Sequence, residues 1–69
     1  MQISLDNGLT FISANEAITA IIQADIWETV VAFMDDDIRE QVHSELAPCS
    51  EEEFLTRYLD LSQKDLILP

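Results

Sequence analysis

Four times in 69 residues the chain places a serine or aspartate three positions ahead of a glutamate: Ser13 and Glu16, Asp25 and Glu28, Asp37 and Glu40, Ser50 and Glu53. This spacing starts helices, because the leading side chain accepts a backbone N–H from the first turn while the glutamate reaches back to the leading residue. The two pairs led by serine fit the pattern well, and the two led by aspartate are weaker versions. Starts this closely spaced leave room only for helices of about three turns. Such helices bury narrow stripes, so all of them must share one core.

Each segment carries a stripe of the right period. The first helix sets Ala14, Ala17, Ile18, Ile21 and Ile22 at helical spacing. The second, about residues 26–35, puts Trp27, Val30, Val31 and Met34 on one face with Ile26 and Phe33 on its flank, which makes it the expected centre of the core. The third, about 37–46, turns only Ile38, Val42 and Leu46 inward and reads as peripheral. Ala47, Pro48 and Cys49 then break the chain. The fourth, about 51–62, turns Phe54, Leu55, Tyr58 and Leu59 inward.

Ahead of the helices, "ISLDNGLTF" has the signature of a β-hairpin, and its register depends on the loop. A two-residue Asn7-Gly8 turn sets Leu5 opposite Thr10 and splits the apolar residues between two faces. A three-residue loop, Asp6-Asn7-Gly8 with Gly8 left-handed, pairs Leu5 with Leu9 and Ile3 with Phe11 and gathers all four on one face. The second register is preferred on that ground. A lone hairpin is unstable in water, and Leu66–Leu68 is the other candidate strand. The expected architecture is α+β: an N-terminal β-hairpin, with Leu66–Leu68 as a candidate third strand, packed against three to four short helices in one domain spanning residues 1–69.

Hydrophobic residues make up 48% of the chain and mean hydropathy is +0.08, too apolar for charge-driven disorder. The single cysteine, Cys49, has no partner for an internal disulfide. "MQISLDNG" lacks a basic region followed by an apolar run, so a cytoplasmic protein is expected. The most apolar stretch, Ala17 to Met34, is interrupted by Asp25 and Glu28 and does not read as a membrane span.

Charge is the outlying property. Fourteen Asp and Glu stand against three Lys and Arg, giving −11 and a pI near 4.1. Such a chain is repelled by nucleic acid and by anionic lipid, and its natural partner is basic. Each basic residue has an acid four positions before it (Asp35 and Arg39, Glu53 and Arg57, Asp60 and Lys64), a spacing worth about 0.2–0.5 kcal/mol per exposed pair. The acids left over are Asp6, Glu16, Asp25, Glu28, Asp36, Asp37, Glu40, Glu45, Glu51, Glu52 and Asp65. Many of them fall at helix starts, where the helix dipole favours a negative charge by about 0.3–1 kcal/mol. That accounts for their positions better than for their number, since the repulsion among them opposes compaction. Helical geometry points Asp36, Asp37 and Glu40 of "DDD" and its sequel, and Glu52 of "EEE", away from the apolar stripes.

Catalytic and metal chemistry find little support. "DDD" at 35–37 lacks the alternating ligands and central glycine of a calcium loop. His43 and Cys49 are the only imidazole and thiol, too few for zinc and without the surroundings of a nucleophilic pair. Gly8 is the sole glycine, so there is no phosphate-binding loop. Trp27, in phase with Val30, Val31 and Met34, reads as core rather than as a binding anchor. The expectation is a protein that is not an enzyme, with no catalytic residue, no metal and no cofactor.

The hairpin segment "LDNGLTF", the run "IWETVVAFMDDDIREQVHSELAPCSEEEFL" and the surplus charge together resemble the small acidic proteins of phages and conjugative elements that block bacterial defence, the anti-CRISPR and antirestriction DNA mimics, a type I anti-CRISPR protein above all. The resemblance implies a short α+β domain whose carboxylates stand in for DNA phosphates and occupy the DNA-binding channel of a surveillance complex or nuclease. It implies Asp35, Asp36, Asp37, Glu40, Glu45, Glu51 and Glu52 as the partner-binding residues, and a basic DNA-binding protein or complex of the host as the partner. The protein itself would be a monomer or homodimer, touching neither nucleic acid nor membrane directly. The rival reading is a small acidic interaction module or adaptor that binds through an apolar groove and uses its charge for solubility.

Overall fold

The structure, a computed structural model, describes residues 1–46 and 48–69; Ala47, the first residue of the expected break, lies outside the described residues. The elements in chain order are β1 (Ile3–Ser4), α1 (Ala14–Ala24), α2 (Trp27–Ala32), α3 (Asp36–Leu46), α4 (Glu51–Ser62) and β2 (Leu66–Ile67). This is the α+β architecture expected, and Leu66 does join the sheet. β1 and β2 run parallel, with Ile3 opposite Leu66 and Ser4 opposite Ile67.

On its other side β1 meets only Ile12, antiparallel, through Ile3 N–H to Ile12 C=O at 2.9 Å and Ile12 N–H to Ile3 C=O at 2.8 Å. This is the register of the two-residue turn, and the three-residue loop preferred from the sequence is not formed. Asn7 and Gly8 both take left-handed backbone, φ 61° and 92°, as a two-residue hairpin turn requires. Polar groups decide the outcome. The buried Ser4 hydroxyl accepts Gly8 N–H at 2.7 Å and donates to the Asp6 carboxylate at 2.8 Å, and that carboxylate accepts Thr10 N–H at 2.8 Å. The Thr10 N–H is thus spent on a side chain instead of on Leu5 opposite it, and the pairing does not extend beyond the Ile3–Ile12 bridge among the described residues. Ile12 packs against the core in the place expected of Phe11, and Leu9 and Phe11 stay exposed.

Both serine-led helix starts form. Ser13 Oγ accepts Glu16 N–H at 3.3 Å, and Ser50 Oγ accepts Glu53 N–H at 3.2 Å. Both aspartate-led starts do not. Asp25 ends α1 in left-handed backbone (φ 56°), so α2 begins after Ile26 with no side-chain cap. At α3 the cap is Asp35, whose Oδ1 accepts Asp37 N–H at 3.0 Å and Ile38 N–H at 3.2 Å.

The core is one cluster that includes Ile3, Ile21, Val30, Val42, Leu55, Tyr58, Leu59 and Leu66. Its centre is α4, which packs on both α1 and α3, rather than the second helix as the sequence suggested. α2 has only six residues and buries Val30 alone; Met34 follows it into the core from beyond its end. The α1 stripe is narrower than its sequence spacing: Ala17, Ile18 and Ile21 are buried, while Ile22 is 59% exposed because no element covers that edge.

Two predictions follow from this packing. Leu55→Ala, at 0% exposure, should cost about 2–5 kcal/mol in urea unfolding, whereas Ile22→Ala should stay within about 0.5 kcal/mol of the parent. The second concerns Asp6, whose carboxyl is held below the ordinary aspartate range first by Thr10 N–H and then by the Ser4 hydroxyl. A lowered folded-state pKa stabilises above the unfolded value, about pH 3.9, and that contribution is lost as pH falls through the folded value. Asp6→Asn should therefore melt below the parent at about pH 6, and the two melting temperatures should converge on acidification to about pH 2.

Candidate functional site

α3 and α4 form an antiparallel pair: Asp35, at the start of α3, donates its N–H to the hydroxyl of Tyr58 in the second half of α4 at 2.7 Å. Each acidic triplet sits at a helix N-terminus, so the antiparallel pairing sends "DDD" and "EEE" to opposite ends. Eleven helical residues at 1.5 Å each separate them by roughly 16 Å.

The seven candidate residues do not have equal freedom. Asp35 spends its carboxylate on the cap described above. Asp36 is paired with Arg39 at 2.9 Å yet remains 81% exposed. Glu45 accepts Arg57 at 3.1 Å and Gln41 at 3.2 Å, which leaves it the most compensated of the set. Asp37, Glu40 and Glu52 are exposed, and Glu51 is half-buried. Among the described residues, Asp37, Glu40, Glu51 and Glu52 have no ion-pair partner.

The expected i,i+4 pairs are replaced for specific reasons. Asp35 caps its helix, so Arg39 turns to Asp36 and to the Val31 carbonyl at 3.3 Å. Glu53 accepts the Ser50 hydroxyl at 3.3 Å, so Arg57 bridges to Glu45 and, at 3.7 Å, to Asp60. Lys64 follows Gln63, which ends α4 in left-handed backbone, and the helical spacing from Asp60 no longer applies.

Between α2, α3 and α4 lies an open cleft of about 510 Å³, walled by Trp27, Val31 and Phe54 and lined further by Arg39, Glu40, His43, Pro48, Cys49, Ser50 and Glu51. The Trp27 and Phe54 rings meet edge to face, centroids 5.9 Å apart at 90°, a geometry worth about 0.5–1.5 kcal/mol beyond burial. Asp25 and Glu28 share a shallow concavity with Trp27 and Glu51 beside it. Sequence periodicity missed this cleft: Trp27 is in phase with the core, but a six-residue α2 leaves it half-buried. Asp25 and Glu28 were hidden among helix-start signals. The one available hint was an aromatic residue flanked closely by two acids. No cluster of His, Cys, Asp and Glu able to hold a metal occurs among the described residues. No helix there is long and apolar enough to cross a membrane.

The surface of 4436 Å² would carry one net charge per ~400 Å² if −11 were evenly spread, against about one per ~100 Å² on duplex DNA. The distribution is uneven, since residues 35–60 hold nine of the fourteen acids and two arginines. Screening should therefore relieve repulsion within this segment, and the melting temperature should rise from low to moderate salt; a flat or falling value would mean the acids are already compensated.

Comparison with known families matches residues 22–61, from the last turn of α1 to the last turn of α4, to the family described as Anti-CRISPR protein AcrIC5. The match covers both triplets and most of the cleft-forming helices, and excludes the sheet. No curated protein and no solved structure matches the chain.

Proposed function

The chain belongs to the AcrIC5 family of anti-CRISPR proteins, so it is an inhibitor of CRISPR defence that binds a host CRISPR–Cas protein complex, and from that premise we propose that it works by acidic mimicry of DNA. In this reading the carboxylates along α3 and at the start of α4 engage lysine and arginine side chains that otherwise hold target-DNA phosphates, and DNA binding is blocked. Inhibition of this kind is competition for a surface and asks for no catalytic group, cofactor or metal.

The observation that carries the reading is the exposed acid set at the two ends of the α3–α4 pair, Asp36 and Asp37 at one and Glu52 at the other, rooted in helix N-termini. The charge count supports it: residues 35–60 hold nine acids, and ~16 Å of duplex, the length of the helix pair, carries about nine phosphates. Carboxylates pair with arginine forks much as phosphates do. Exposed ion pairs contribute little each, so affinity must also draw on desolvated contacts.

The cleft favours a second reading, in which Trp27 and Phe54 hold an apolar segment of the partner and the acids serve solubility. Salt and DNA separate the two. Under mimicry, Asp36→Asn, Asp37→Asn and Glu52→Gln together should weaken binding to a purified type I surveillance complex by roughly tenfold or more with little change in melting temperature, since the lost helix-dipole and Arg39 contacts are offset by relief of acid repulsion. Target duplex should displace the parent protein, and binding should weaken with salt. Full-strength binding by the triple variant, unaffected by duplex, would leave the apolar cleft as the active surface.

A further inference from the structure

We propose that the cleft between α2, α3 and α4 receives one arginine side chain of the protein partner, its guanidinium against the Trp27 and Phe54 rings and its N–H groups on Glu51 and Glu40. The inference rests on the inhibitor reading for its partner and on the cleft for its chemistry. At about 510 Å³ the cleft falls within the ~300–1,000 Å³ of sites built for small groups. Its apolar wall is aromatic, and an edge-to-face pair uses one face of one ring and no face of the other. Both rings line the cleft and are only half-buried, so aromatic surface remains for a cation, which a π system attracts within about 6 Å.

The charges around the cleft select the sign of its occupant. Glu40 and Glu51 line it, with no ion-pair partner among the described residues, and Asp25 and Glu28 adjoin it beside Glu51. The one cation in the wall, Arg39, is engaged by the Asp36 carboxylate at 2.9 Å and by the Val31 carbonyl at 3.3 Å. Its charge is answered from outside the cleft, so the two glutamates are not. The remaining titratable neighbours are His43 and Cys49.

Arginine fits better than lysine on two counts. Its planar guanidinium stacks on aromatic faces, and its fork of donors can serve two carboxylates at once, while an ammonium is a compact and strongly hydrated point charge. An apolar occupant would strand Glu40 and Glu51 against desolvated surface, at a cost to binding.

Trp27 is the only tryptophan, so its fluorescence reports on the cleft and on the concavity beside it, and Glu40, which lines the cleft and not the concavity, tells the two apart. The protein would be titrated with N-acetyl-arginine amide at about pH 8, above the ordinary imidazole range, with N-acetyl-citrulline amide as the neutral isostere and N-acetyl-lysine amide as the alternative cation. A saturable change with half-saturation near ~1–10 mM is expected for arginine, several-fold weaker for lysine and absent for citrulline. Glu51→Gln should weaken the arginine response about threefold or more, and Glu40→Gln should do so independently. Citrulline matching arginine, lysine matching arginine, or no saturable response would overturn the proposal. The titration needs no surveillance complex: a failed arginine response alongside intact displacement by duplex would sink the arginine site alone. An intact response in a protein that duplex cannot displace would sink the mimicry and leave the site.

Discussion

The burial of Leu55, Tyr58 and Leu59 between α1 and α3 is the interaction on which the rest depends. A chain of 69 residues has little apolar area to bury, and the α4 face is where the apolar residues of α1 and α3 meet. Tyr58 shows how far the consequences reach. Its ring fills the core, and its hydroxyl accepts the N–H of Asp35, the residue whose carboxylate caps α3. The position of the first acidic triplet is therefore set from the middle of α4.

The acids have to satisfy two demands that pull apart. A charge of −11 on so small a body works against compaction, yet the mimicry proposed above needs that charge exposed. The structure meets both by placing carboxylates at helix N-termini, where the dipole offsets part of the repulsion locally. The two arginines are drawn in beside Asp36, Glu45 and Asp60, which leaves Asp37, Glu40, Glu51 and Glu52 without an ion-pair partner among the described residues. Partner recognition, in the reading proposed here, is carried by charges that also start the helices.

Steering and holding are separate tasks, and the surface divides them. Unpaired carboxylates act over about a Debye length and would accelerate encounter with the basic surface that the mimicry reading requires, but each exposed pair adds little to affinity. In the arginine site proposed above, the cleft between α2, α3 and α4 would supply what they lack: half-buried aromatic surface next to carboxylates, where one charged contact is desolvated and so counts for more.

Local chemistry was legible in the sequence. Serine three residues ahead of glutamate started α1 and α4 as read, the inward residues of α3 and α4 were those expected, and α+β followed from a turn signal beside helical periodicity. Each depends on neighbours within four residues, which the sequence displays. Tertiary structure decided the rest. Asp25 ended a helix instead of starting one, Asp35 displaced Asp37 as a cap once Tyr58 held its backbone, and the hairpin shrank to the Ile3–Ile12 bridge around a left-handed Asn7-Gly8 turn, with Thr10 N–H spent on Asp6. The cleft arose where α2, too short to bury its own Trp27, meets α3 and α4. Periodicity tells which face of a helix is apolar, but only the packing of the other elements determines how much of that face is covered.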